Sequence, residues 1–106
     1  MATNPSKQYR KLKKRHPDFL KAVEALGKVV RKEGPIDKKN SQLIQLAAAA
    51  ANRSEGAVHS HTARALDAGA SPDEVYHAII LLTSTIGFPN VTAAISWADD
   101  VIDKAG

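Results

Sequence analysis

The residues whose types suit chemistry gather between positions 42 and 77 of this 106-residue chain. His61 carries an imidazole whose ordinary pKa of about 6.5 lets it give or take a proton near neutral pH. Its plainer reading is a histidine hydrogen-bonded between helices. Ser54 lies seven positions earlier, which on one helix is roughly 10 Å along the axis, whereas a nucleophile and its base must approach to about 3 Å. A serine hydrolase pair is therefore not expected, and Ser54 reads as a helix-start residue. Glu55 is either an acid for His61 or a first-turn charge favoured by the helix dipole. His59 and His61 point to nearly opposite faces of a helix, so they do not form a metal-binding pair. Tyr76 and His77 read as a core tyrosine and a surface histidine, with the border of a His61 cavity as their alternative role.

These side chains must be held by helices. His16-Pro17 opens a segment with Phe19, Leu20, Val23, Leu26, Val29 and Val30 at helical spacing, and Gly34-Pro35 stops it. Asp37 caps a second helix through Leu43, Ile44, Leu46 and the run Ala47 to Ala51, apolar nearly all round and so expected to be buried on more than one side. Asn52 and Glu55 are spaced as a capping box for a third helix, from about Ser54 to Ala68, with Gly69 after it. Ser71-Pro72-Asp73-Glu74 combines an N-cap, a Pro at the first helical position and a Glu that closes a capping box. Val75, Ile79, Leu82 and Ile86 then form one apolar face of a helix ended by Gly87. Pro89-Asn90 starts a last helix with Val91, Ala94, Ile95, Ala98 and Ile102, and Trp97 packs in the core or at a subunit contact. No strand pattern or repeat is visible, so the expected fold is an all-α compact bundle of about five to six helices in a single domain, 1–106. Two adjacent helices that are nearly apolar all round exceed what a chain of this length hides, and the surplus implies a homo-oligomer.

Composition narrows the classes further. The chain is 43% hydrophobic and 25% charged, with only five aromatic residues, so its core is built from Ala, Leu, Ile and Val. It has no cysteine, which excludes disulfides, thiolate metal sites and thiol catalysis. No Gly-rich phosphate loop or metal-ligand cluster is visible, so neither a cofactor nor a metal is expected. No apolar run reaches the roughly 18 residues that cross a bilayer, and the N-terminal stretch lacks the apolar core of a secretory signal; the cytoplasm is the expected compartment. The net charge of +4 conceals an asymmetry: residues 1–40 carry twelve Lys or Arg against four acids, residues 41–106 three against seven. The basic segment 1–15 reads as a solvated face, or one meeting an acidic surface of the oligomer. Nucleic acid is disfavoured there, because only Tyr9 and Phe19 offer stacking groups and no recognition motif is present.

The order LIQLAAAAANRSE, HSHTARALDAGAS, PDEV, followed by an apolar helix ending in Gly-Phe-Pro, resembles the carboxymuconolactone decarboxylase and alkylhydroperoxidase D-like family. HPDFLKAVEALGKVV resembles the helix that precedes this pattern in the family, and the stretch from His61 to Ser71 is its most distinctive part. The resemblance implies an all-α domain assembled as a homo-oligomer, a trimer or a hexamer. In peroxidase members a Cys-x-x-Cys pair precedes the His, and a Glu on the preceding helix completes a proton relay. On this sequence the cysteine positions fall on Ser54 and Ala57, the His on His61, and the Glu on Gln42. Three of the four relay positions are changed. Serine cannot replace the thiolate, and Gln42 can hydrogen-bond but cannot shuttle a proton as a carboxylate does.

Decarboxylase members do not depend on the cysteine pair, and by resemblance His61 takes the proton-transfer part, with Gln42, Ser54 and Glu55 lining its site. The expected function is to bind a small organic acid or lactone near His61 without thiol peroxidase activity. Its alternative is a non-catalytic family member acting as an oligomeric binding or scaffold protein.

Overall fold

A computed structural model describes residues 7–105 and builds them from helices alone. These are α1 Lys7–Arg15, α2 Pro17–Lys32, α3 Lys38–Ala51, α4 Glu55–Asp67, α5 Pro72–Ile80, α6 Thr83–Ile86 and α7 Phe88–Ala105. The all-α class and the expected count of about five to six agree with the described residues, which hold six helices and the single four-residue turn α6. Among them, no helix is long and apolar enough to cross a membrane. The chain divides into two compact units, one carrying α1 and α2 and the other α3 to α7.

In the first unit, residues 7–15 form a helix where the sequence suggested only a basic segment. Lys13, Lys14 and Arg15 occupy its last turn, where cations are favoured by the dipole. The Tyr9 hydroxyl donates to the Glu24 carboxylate and ties α1 to α2. Pro17 starts α2 at a position where its missing N–H costs nothing. Phe19, Val23, Leu26 and Val30 follow at i, i+4, i+7 and i+11, an apolar stripe that is exposed along its whole length.

The second unit holds the core. Leu46, Ala49 and Ala50 of α3 meet Val58 and Ala65 of α4, Val75 and Ile79 of α5, and Val91, Ala94 and Ala98 of α7. So many alanines let the helices approach closely, and Leu46 and Ile79 are the largest fully buried side chains. Each contributes about 1.5–3 kcal/mol through burial. Trp97 is half-buried and packs against this core. On α3, Gln42, Leu46, Ala49 and Ala50 are buried within the chain, whereas Ile44 is 56% exposed.

Helix ends account for two corrections. Asn52 and Glu55 form no capping box, because Asn52 is the C-cap of α3. The Arg53 N–H bonds to the Ala50 carbonyl and the Ser54 N–H to the Ala49 carbonyl, the paired closure of a Schellman motif. Ser54, the last residue of that motif, is also the N-cap of α4. The apolar face from Val75 to Ile86 is not one helix either. At Leu81 and Leu82 the chain tightens, with the Leu82 N–H on the Ile79 carbonyl and the Thr83 hydroxyl donating to the Ile80 carbonyl at 2.7 Å. That side-chain bond competes with the helical ladder, and no Gly or Pro announced the break. The Ser71 capping box is present as read, with both reciprocal bonds formed.

Candidate functional site

α4 packs against both α3 and α7, and its side chains divide between those neighbours. His61 faces α3. Its Nδ1 lies 2.8 Å from the Oε1 of Gln42, itself buried in the middle of the first half of α3. An amide oxygen only accepts, so Nδ1 is the donor in this pair. His61 is half-buried, and Thr62 beside it is fully buried, with a hydroxyl oxygen that has no hydrogen-bond partner.

His59 faces the other way, as its two-residue offset requires. Its Nε2 is 3.0 Å from Oδ2 of Asp100 on α7 and 3.9 Å from Oε2 of Glu55, one turn earlier on α4. Glu55 is thus a partner of His59, at the first turn of α4 where a negative charge is favoured by the dipole. The Ser54 hydroxyl accepts from the Ala57 N–H at 3.4 Å, the helix-start role read from the sequence. Of the four candidate residues, the fold therefore joins Gln42 to His61, uses Ser54 as a cap and sets Glu55 beside His59. Among the described residues, Glu55, His59 and Asp100 are also the group able to offer a metal three ligand atoms, all within 4.8 Å of one another.

A second polar cluster lies between α5 and α7. Tyr76 donates its hydroxyl to Asp99 at 2.6 Å. The accepting carboxylate stabilises the protonated phenol, and burial and the negative charges of Asp99, Asp103 and Asp73 add to this, so the Tyr76 pKa is pushed up to about 12. Asp73, Tyr76, His77, Ile80, Ile95 and Asp99 line a shallow cleft of about 550 Å³ that includes neither His61 nor Gln42. Tyr76 and His77 thus border a cleft of their own, with Tyr76 half-buried and His77 exposed. Nearby, Glu74 accepts from the Ser71 N–H at 2.9 Å and pairs with Lys39 of α3 at 3.0 Å. The Ser71 backbone bond first, then the Lys39 ammonium, hold its carboxyl below the usual carboxylate range.

Neither Asp99 nor Asp100 was singled out from the sequence. In the one-dimensional pattern they are two acids on the polar side of a last helix, and only the packing of α7 gives one to Tyr76 and the other to His59.

The sequence profile of the carboxymuconolactone decarboxylase family matches residues 17–100, from the start of α2 into α7. A comparison with curated proteins finds no significant match. The fold is similar to the crystal structure of a carboxymuconolactone decarboxylase family protein from Legionella pneumophila, with a TM-score of 0.78 and 24% identity over 92% of this chain and 86% of that one. With a family profile spanning most of its length, the chain belongs to the carboxymuconolactone decarboxylase family.

Proposed function

We propose that this chain binds a small organic acid or lactone beside His61, whose imidazole accepts a proton from the ligand or returns one. The observation that carries the reading is the contact of His61 Nδ1 with Gln42 Oε1 at 2.8 Å. A partner on one ring nitrogen fixes the tautomer and orientation of the ring, which is what a general base requires. A carboxylate at position 42 would add a charge that stabilises the imidazolium; the neutral amide gives the hydrogen bond without that charge. Thiol peroxidase chemistry has no place in this reading, because the chain contains no cysteine. Ser54, at the first of the family's cysteine positions, caps α4 instead.

The direct test is a thermal-shift screen of wild type and His61→Ala against small carboxylates and lactones. A ligand at a hundred times its dissociation constant raises stability by about 2.7 kcal/mol, which is readily measured. A compound that shifts the wild type and not the variant supports the pocket at His61. If nothing shifts either protein, the second reading takes over.

That second reading is an oligomeric binding or scaffold protein without catalysis. It is favoured by the apolar stripe on α2, where Phe19, Leu26 and Val30 are about 60% exposed in the single chain. Contiguous apolar surface of this kind marks an interaction site, and a homo-oligomer, a trimer or a hexamer, covers it in this proposal.

A further inference from the structure

We propose that Glu55, His59 and Asp100 form a binding site for a divalent transition-metal ion of the zinc type, open to solvent and spanning α4 and α7. Glu55 and His59 are one turn apart on α4, so the helix itself fixes their spacing. Asp100 comes from α7, and its Oδ2 approaches the same nitrogen, Nε2 of His59, that Glu55 faces.

The spacing of the group is close to that of the ligand atoms around a metal ion. Ligand atoms bound to zinc at about 2.0–2.2 Å in tetrahedral geometry lie about 3.3–3.5 Å from one another. The two distances from His59 Nε2, 3.0 Å to Asp100 and 3.9 Å to Glu55, fall on either side of that value. Both carboxylates are more than half exposed, so solvent rather than packing surrounds them. As a hydrogen-bonded cluster the arrangement is incomplete, because one N–H serves Asp100 and leaves Glu55 beyond hydrogen-bond reach. A cation bound to the deprotonated nitrogen engages all three groups and neutralises the two carboxylates.

The donor set decides the class of ion. One imidazole with two carboxylates suits zinc, cobalt or manganese, whereas calcium and magnesium call for more oxygens. Three protein ligands at a partly exposed position leave the fourth to water, the open arrangement of zinc sites that do chemistry. The sequence concealed the group, because its third ligand lies 41 positions from the second.

The test is calorimetric titration of zinc chloride into the full, untagged, chelator-stripped chain, compared with His59→Ala, Asp100→Asn, Glu55→Gln and the control His77→Ala, which alters an exposed histidine outside the group. The expected result is one zinc per chain, weakened more than about tenfold by each of the three ligand changes and unaltered by the control. His59 and Asp100 also join two helices, so a second readout uses the wild type alone: zinc should shift the NMR signals of the His59 ring before those of the other three histidines. Absence of saturable binding overturns the proposal, as does wild-type affinity in His59→Ala or a first response at another histidine.

Discussion

Gln42 and His61 sit on different helices, 19 positions apart, and their side chains meet at 2.8 Å through an amide oxygen and a ring nitrogen. The pair joins a titratable ring to a neutral amide. Gln42→Glu puts a carboxylate at this contact, which favours the imidazolium. His61 should then stay protonated to higher pH than in wild type, as read from its ring signals by NMR. The sign for stability follows. A raised histidine pKa adds stability that is complete below the ordinary histidine value, about 6.5, and is lost as pH rises through the new one. An unchanged His61 titration in this variant would mean that the contact does not control the ring.

Hydroperoxides should not be reduced by this chain in the presence of a dithiol reductant, beyond the rate in buffer. The expectation rests on the absence of cysteine, and turnover that scales with protein concentration would require a different reductive chemistry.

Tyr76 gives a prediction at the alkaline end. In a Tyr9→Phe background its phenolate absorbance should appear near pH 12, and Asp99→Asn should bring the midpoint down towards the ordinary value of 10.0. Because the folded form holds this proton more tightly, the associated stability is present below pH 10 and lost as pH rises towards about 12. A midpoint near 10 in the parent would contradict the Tyr76–Asp99 bond.

Glu74 works in the opposite direction. Its folded pKa is lowered, so its contribution is present above the ordinary value of 4.5 and disappears as pH falls through the folded value. Glu74→Gln should be less stable than wild type at neutral pH, and denaturant titrations should show the two converging in acid. Ser71→Ala breaks the same capping box from its other side and should cost about 1 kcal/mol. No loss in Ser71→Ala would show that the cap is redundant.

Two helix ends offer a matched comparison. α3 and α4 both close with Schellman bonds, around Arg53 at φ 54° and around Gly69 at φ 99°. Glycine suits that conformation and arginine does not. Gly69→Ala should destabilise by about 1–2 kcal/mol from backbone strain alone, since a Cβ there meets no atom within 4 Å. Arg53→Gly relieves strain but frees the unfolded chain by about 0.4–1 kcal/mol, so its net effect should be much smaller. Equal and opposite changes in midpoint would sink this account.

The helices were legible where local chemistry punctuates them. Ser71-Pro72-Asp73-Glu74 and the Gly69 stop needed only nearest neighbours to be read, and the Gln42 and His61 positions followed from the family resemblance. What escaped was decided elsewhere. The break at Leu81 carries a threonine hydroxyl bond rather than a glycine or proline, and the positive-φ corner after the Asn52 C-cap falls on an arginine rather than on a glycine. Asp99 and Asp100 acquired their partners only when α7 packed down, and no window of sequence holds both members of either pair.

The corner at Asn52, Arg53 and Ser54 behaves as a gear setting. Ser54 completes the closure of α3 and opens α4, so the two helices share one residue rather than a loop. From that shared residue the register of α4 is counted: positions 59 and 61 lie five and seven residues after Ser54, so one turn of helix presents one histidine to Asp100 and the other to Gln42.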